Sequence, residues 1–241
     1  MSVAQSVENY VRTKAAGQIF DYQAIPDYAR SPGAVMTALS RLTAQNRVKR
    51  LSKGKFYIPK ESILGELKPS DDELINSVLY KAGKLKGYVT GIALYNKLGL
   101  TTQLPSTIEI AYRGGTQTKE FGTIRIRTIR SVAPIKEGNI LYLQYLDALK
   151  GIKKISDSNI DLSLEIMKGK LNKLSRTDKN KIVELAEEYY TPQVKALLGL
   201  LLVGLSKKIR EDLKSELNPT TVFKLNLDKD KWQNAREWNI R

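Results

Sequence analysis

The sequence contains no cysteine and no histidine in its 241 residues. Disulfide bonds, thiolate nucleophiles, zinc fingers and Ser–His or Cys–His catalysis are therefore excluded, because each of them needs one of these side chains. Hydrolysis by paired carboxylates and a magnesium site remain open, since both rely on oxygen atoms alone.

The chain also lacks a hydrophobic run long enough to cross a membrane. Its longest apolar segment, 196–205, has ten residues, whereas a membrane-spanning helix needs about 20. This segment predicts a buried helix instead. Polar residues such as Glu8 and Arg12 interrupt the apolar runs near the N-terminus, so no signal peptide is predicted. We expect a cytoplasmic protein with no membrane partner.

Acidic residues are scarce relative to basic ones. The chain has 40 Lys and Arg against 25 Asp and Glu, a formal net charge of +15. Residues 1–60 hold ten bases and three acids, or +7, whereas residues 61–241 hold thirty and twenty-two, or +8 over three times the length. An anionic partner is the default expectation for the basic N-terminal segment. A charge excess that only improves solubility is the alternative.

A helix-turn-helix pattern followed by a basic hairpin occupies the segment 18–59. Ser31-Pro32 combines an N-cap hydroxyl with proline at the first helical position, and apolar residues then follow at helical spacing, so a helix is predicted over 32–45. Strand-like runs at 48–52 and 55–58 flank the turn Lys53-Gly54. With a short helix over 21–25 capped by Asp21, the pattern predicts a winged helix-turn-helix.

The predicted DNA-binding surface combines this helix with the hairpin. Opposite its apolar stripe the helix has a short, polar face with arginines at its edges, which suits close approach to base edges. Basic hairpin tips contact phosphates or the minor groove. An ordinary solvated face is the alternative for the helix alone, and the adjoining basic hairpin favours DNA. The expected contact residues are Arg30, Ser31, Gly33, Thr37, Ser40, Arg41, Arg47, Lys49, Arg50, Lys53 and Lys55.

We predict two domains, a winged helix-turn-helix domain over 1–65 and a larger mixed domain over 71–241, with a connector at 61–72. The fold class is α+β and mainly helical. The second domain has two predicted strands, 107–111 and 123–130, joined through the turn Gly114-Gly115. Its predicted helices cover 71–84, 91–98, 140–150, 162–174, 179–190, 192–205 and 207–217.

Two charged groups in the second domain allow more than one interpretation. Arg125 and Arg127 share a face of the strand 123–130, and with Arg130 they could hold a nucleic-acid backbone or an acidic protein partner. A solvated sheet face is equally open.

The acids at 71–73 and 184–188 begin or line helices, where carboxylates are ordinarily structural. We therefore expect no catalytic residues, no metal, no cofactor and no enzymatic activity.

The phrases Gly54-Lys55-Phe56-Tyr57 and Tyr88–Pro105, with Asn218-Pro219 and Trp238-Asn239-Ile240 near the end, give the chain a family resemblance. It resembles the AbiEi-type antitoxins of type IV toxin–antitoxin systems, in the branch with a shortened winged-helix start. The stretch ALYNKLGLTTQLP within 88–105 is the discriminating part. The resemblance covers nearly the whole chain.

This resemblance implies a bacterial phage-defence antitoxin with two roles. Its N-terminal domain would bind inverted repeats in its own promoter and repress transcription. Its larger domain would counter a cognate nucleotidyltransferase-like toxin, directly or indirectly, and assist DNA binding. The alternative is a ligand-responsive or dimeric winged-helix transcription factor with no toxin partner. A third class, a nuclease that uses acids and Mg²⁺, lacks a clustered set of carboxylates in the sequence.

Overall fold

The computed structural model describes residues 2–63 and 65–241 and divides them into two compact units. One unit comprises residues 1–87 with 120–124, and the other comprises 88–119 with 125–241. About 47% of the chain is helical and about 17% is in strands, which confirms a mixed fold in which helices predominate. None of the described helices has the length and apolar character needed to cross a bilayer.

The first unit begins with two helices and the strand between them. These elements are α1 (Val3–Arg12), β1 (Ile19–Asp21) and α2 (Pro32–Ala44), with a 3-10 helix at Tyr22–Ala24 after β1. Helix α1 begins with a capping box in which Ser2 and Gln5 satisfy each other's backbone amides. The predicted side-chain caps at Asp21 and Ser31 are wrong, because neither side chain bonds the backbone of the helix that follows it.

A hairpin follows α2 and completes a three-stranded sheet. Strands β2 (Lys49–Ser52) and β3 (Lys55–Tyr57) are antiparallel, and β1 pairs with the other edge of β3, so the strand order is β1-β3-β2. Apolar side chains from both helices and the sheet form one core beneath the hairpin. Its members are Val7, Val11, Phe20, Ile25, Val35, Ala38, Leu39, Leu42, Val48 and Phe56.

The predicted connector over 61–72 is instead a second hairpin, formed by β4 (Lys60–Ser62) and β5 (Gly65–Leu67). Successive residues of a strand point to opposite faces, so Phe56 and Tyr57 of β3 should divide between core and solvent, yet both are buried. Phe56 enters the core, and the hydroxyl of Tyr57 donates to Glu66 of β5 at 3.1 Å. Tyr57, on the opposite face of the sheet from the core, is therefore bonded to the second hairpin and not left in solvent.

The first unit extends further along the chain than the predicted boundary at 65–71. Helix α3 (Asp71–Leu79) and the small hairpin of β6 (Tyr80–Lys81) and β7 (Lys84–Leu85) belong to it. A carboxylate oxygen of Glu73 in α3 accepts the amide of Ile19 in β1 at 3.1 Å. The first compact unit therefore runs to Gly87, and residues 120–124 also belong to it.

The second unit contains a four-stranded sheet with the order β10-β11-β9-β8. Its strands are β8 (Gly87–Thr90), β9 (Ile108–Tyr112), β10 (Gln117–Glu120) and β11 (Arg125–Arg130), and α4 (Gly91–Leu98) follows β8. Strands β9 and β11 are parallel. The prediction that Gly114-Gly115 joins them as a hairpin is therefore wrong, since β10 intervenes and forms the edge of the sheet.

Five helices complete the second unit. They are α5 (Ile140–Gly151), α6 (Ile160–Asn172), α7 (Arg176–Tyr189), α8 (Pro192–Leu201) and α9 (Lys207–Ser215). Helix α8 is buried along most of its length, as its apolar sequence predicts. It ends at Leu201, short of the predicted 205, and Val203 is exposed. The tail returns to the core through Trp238, which is 1% exposed.

Candidate nucleic-acid interface

Helix α2 presents the polar face that its sequence predicts. Val35, Leu39 and Leu42 are buried on one side, and the residues expected at the groove (Gly33, Thr37, Ser40 and Arg41) are exposed on the other. The hydroxyl of Thr37 donates to the carbonyl oxygen of Gly33 at 3.0 Å, so it offers its lone pairs outward. Small side chains on this face would let the helix backbone come close to a ligand.

We call the β2–β3 hairpin the wing. Its tip is attached to the 3-10 helix. The amide of Tyr22 donates to the carbonyl oxygen of Gly54 at 3.1 Å, and the Tyr22 ring lies against Gly54. The ring of Tyr28 packs on Tyr22 with their centroids 4.8 Å apart. Sequence reasoning gave neither tyrosine a role, because no local pattern links residue 22 to residue 54. Lys53 at the tip is exposed.

Four of the expected DNA-contacting cations already have acidic partners within the first unit. Arg30 bonds Asp27 at 2.7 Å, Arg47 bonds Glu8 at 2.6 Å, Lys49 bonds Glu66, and Lys55 bonds Asp21 at 3.1 Å. The first three keep substantial exposure, with 71%, 38% and 38% of their side chains accessible. They can still face an anion, although part of their charge is balanced.

Lys55 differs from these three. Its side chain is only 12% exposed, and its ammonium donates to the carbonyl oxygen of Ser77 as well as to Asp21. The structure therefore places Lys55 inside the first unit, where it joins β3 to α3. We leave it out of the proposed surface, because its side chain is largely buried and its charge is already balanced by Asp21.

The pKa shifts agree with this pattern of pairing. The hydrogen bond from Arg47 holds the pKa of Glu8 below its ordinary value. The hydrogen bond from Lys49 likewise lowers the pKa of Glu66, and the same bond raises the pKa of Lys49. These carboxylates therefore stay charged at neutral pH and keep their cations engaged.

Arg41, Arg50 and Lys53 are exposed, and none of them makes an ion pair within the described part of the chain. One lies on α2 and two lie on the hairpin. The structure thus brings a polar helix face and unneutralised cations together in one unit. This is the charge arrangement expected of a surface that receives a polyanion.

The arginines of β11 do not form one set. Alternation along the strand exposes Arg125 and Arg127 on one face, with Ile126 and Thr128 buried on the other. Arg127 is the register partner of Glu109 in β9, so an acid lies beside it. Arg130 is exposed at the end of the strand and lines a cavity.

A buried polar network in the second unit was missed by sequence reasoning. Asp147 on α5 accepts hydrogen bonds from the hydroxyls of Tyr88 and Tyr190, each at 2.9 Å, and of Thr90 at 3.0 Å. Burial raises the pKa of Asp147, and the hydroxyl donors oppose that rise. A signal was available, because Asp147 is the sole acid in the apolar helix ILYLQYLDALKG.

A family model described as a family of unknown function, DUF6088, matches residues 6–183. The chain belongs to the DUF6088 family. The matched part of this DUF6088 protein runs from α1 into α7 and includes α2, the wing and Asp147. The chain has no match among curated proteins.

Proposed function

We propose that the first unit is a winged helix-turn-helix that binds double-stranded DNA through α2 and the wing. The order of its elements supports this: helix, strand, short helix, helix α2 and a two-stranded hairpin, with the first strand paired to the outer side of β3. In winged-helix DNA-binding units the second long helix enters the major groove and the hairpin grips the backbone.

The observation that carries the proposal is the pairing of an exposed polar face on α2 with free cations on both elements. Short side chains let a helix approach the base edges, and an arginine can make two hydrogen bonds to a guanine. Gly33, Thr37 and Arg41 supply these features. Phosphate contact requires cations that are not already neutralised. Arg50 and Lys53 on the hairpin fill that role.

We further propose that the protein is an autorepressing antitoxin that counters a nucleotidyltransferase-like toxin and has no catalytic role of its own. The support is the sequence resemblance to AbiEi-type antitoxins in the stretch 88–105. The division into two compact units fits two separable roles. Arg125 and Arg127, exposed on β11, would serve an acidic partner or the DNA backbone.

DNA binding is tested by fluorescence anisotropy with a duplex from upstream of the protein's own gene and a scrambled duplex. The full chain should prefer the upstream duplex. Arg41→Ala should weaken specific binding by about 1–3 kcal/mol, the usual value of a good bidentate base contact. Arg176→Ala removes an exposed arginine from α7 in the second unit and is the matched control, which should bind like wild type. Equal affinity for both duplexes would refute sequence-specific binding.

The antitoxin role needs a separate assay, in which the full chain is expressed from an unrelated promoter together with the neighbouring open reading frame. Wild type should restore growth. A variant combining Arg41→Ala and Arg50→Ala should lose DNA binding and still restore growth, because the countering role is assigned to the second unit. If specific DNA binding is present but the full chain never restores growth, the alternative of a transcription factor without a toxin partner is favoured.

A further inference from the structure

The second unit contains a cavity that the proposed function does not use. It has a volume of about 230 Å³ and lies where α4, β9 and the end of α5 meet. Its polar lining consists mainly of Tyr95, Glu109, Arg130, Asp147, Lys150 and Lys154. All of these residues lie in one compact unit.

Two glycines allow functional side chains to lie against the main chain at this cavity. Gly91 has a φ of 65°, and a methyl group there would overlap the carboxylate of Glu109. A methyl group on Gly151 would overlap the hydroxyl of Tyr95. Glu109 and Tyr95 therefore occupy space that any other residue at 91 or 151 would fill.

Some polar groups of the cavity make hydrogen bonds to other described residues, and some make none. Asp147 has three hydroxyl donors, so its carboxylate is satisfied. In the part of the chain that the structure describes, the carboxylate of Glu109 and the hydroxyl of Tyr95 make no hydrogen bond. Burial raises the pKa of Tyr95 to about 12, so its hydroxyl keeps its proton and can donate at neutral pH.

The cations of the cavity are also free. Arg130, Lys150 and Lys154 are exposed at its edge, and none makes an ion pair with a described residue. Burial raises the pKa of Asp147, and the positive charge of the nearby Lys150 is among the groups that oppose this rise. These three cations share the cavity with two carboxylates. That of Asp147 already accepts hydrogen bonds, whereas that of Glu109 accepts none from the described residues. The lining thus has an excess of positive charge together with an unused acceptor.

We propose that this cavity binds a small phosphorylated molecule with free hydroxyl or amino groups, of the sugar phosphate or mononucleotide class. The phosphate would lie among Arg130, Lys150 and Lys154, which match its charge. Glu109 would accept from a hydroxyl or amino group, and Tyr95 would donate. The volume lies below the roughly 300–1,000 Å³ typical of larger ligands, which limits the occupant to about one sugar phosphate or nucleotide. This inference does not rest on DNA binding.

The test uses the full chain in calorimetry and thermal melting at constant ionic strength. The probes are inorganic phosphate, ribose 5-phosphate, AMP, adenosine and a single-stranded oligonucleotide. Ribose 5-phosphate or AMP should bind and raise the melting temperature, because a ligand that binds only the folded state stabilises it. Binding by AMP but not by ribose 5-phosphate identifies the base as part of the recognised group, and the converse identifies a sugar phosphate. Failure of both, or binding by the oligonucleotide alone, would overturn the proposal.

Variants separate this site from a general effect of charge. Lys154→Ala should weaken binding about tenfold or more, in line with a hydrogen bond to a charged group. Lys153→Ala removes the same charge from an exposed neighbour that does not line the cavity and should bind like wild type. Glu109→Gln should reduce the preference for the phosphorylated sugar over inorganic phosphate. Equal affinities for Lys153→Ala and Lys154→Ala, with both proteins melting like wild type, would place the ligand elsewhere.

Discussion

The ring of Tyr22 occupies the space in front of Gly54, so that a Cβ atom on residue 54 would stand 2.8 Å from Cε1 of the ring. Gly54 also has a φ of 84°, a conformation that other residues adopt only with strain. The wing tip is therefore held to the 3-10 helix by a contact that requires glycine for two independent reasons.

Gly54→Ala should destabilise the protein more than Gly17→Ala does. Gly17 has a φ of 82° with no atom near its missing Cβ, so alanine there should cost about 1–2 kcal/mol from backbone strain alone. At residue 54 the overlap with Tyr22 adds to this strain. Urea unfolding of both variants measures the difference, and equal losses would show that the ring moves aside without cost.

Lys53→Ala should change the salt dependence of DNA binding, whereas Lys55→Ala should change the stability of the protein, although the two lysines are only two residues apart. If Lys53 contacts a phosphate, its loss should flatten the slope of log K against log salt by about 0.9. Lys55→Ala should leave that slope unchanged and lower stability, because it strands Asp21 and the Ser77 carbonyl. Salt-dependent anisotropy and urea unfolding distinguish them. A flattened slope with unchanged stability in Lys55→Ala would restore Lys55 to the surface.

Tyr190→Phe should destabilise the second unit in a pH-dependent way. It removes one donor from the buried Asp147, and the loss should be about 1–3 kcal/mol at neutral pH. The folded-state pKa of Asp147, already raised, then rises further. A raised pKa costs stability only above the unfolded-state value of about 3.9, so the loss should shrink as the pH falls towards it.

Tyr145→Phe is the control for this prediction. Tyr145 lies on the same helix as Asp147, and its hydroxyl has no hydrogen bond in the described structure. Its substitution should change stability little at any pH. Unfolding curves for both variants across the acidic range provide the measurement, and a pH-independent loss in Tyr190→Phe would exclude Asp147 as the source.

Replacing each of two helical glycines by alanine should change the stability of the protein in opposite directions. A Cβ on Gly199 in α8 would overlap the Trp238 ring, so Gly199→Ala should cost about 1–3 kcal/mol through overpacking. Gly169 in α6 is exposed, with open space around it, and alanine there should stabilise by up to about 1 kcal/mol. Thermal melting of the two variants tests both signs. Stabilisation by Gly199→Ala would mean that the tail does not pack there.

The parts of the fold that the sequence predicted well rest on local signals. The helix 32–45 has a start signal and an apolar stripe, and the hairpin turn Lys53-Gly54 lies between two strand-like runs, so both could be identified without distant contacts. The parallel pairing of β9 and β11 could not, because the register of two separated strands leaves no mark on either one. The missed strand β10 is exposed at every residue and lacks apolar alternation.

The sequence predicts which face of α2 is exposed and polar, but it does not predict which of the nearby cations are already paired with carboxylates. The polar face of α2 follows directly from helical periodicity. The pairing of Lys55 with Asp21, and that of Lys49 with Glu66, joins residues brought together only by folding. The sequence offered no means of knowing which lysines were already neutralised. Asp147 was different, since an isolated acid in an apolar helix signals a buried network.

If the first unit binds DNA as proposed, its internal ion pairs should limit how strongly ionic strength affects the affinity of the complex. Seven cations were expected on the surface, and four of them already have carboxylate partners in the folded chain. Counterions leave DNA only where a protein charge replaces them. In the proposed complex the uncompensated phosphate contacts would come mainly from Arg50 and Lys53, with Arg41 on the base edges. The affinity of such a complex would fall less with rising salt concentration than that of a complex in which all seven cations contact phosphates.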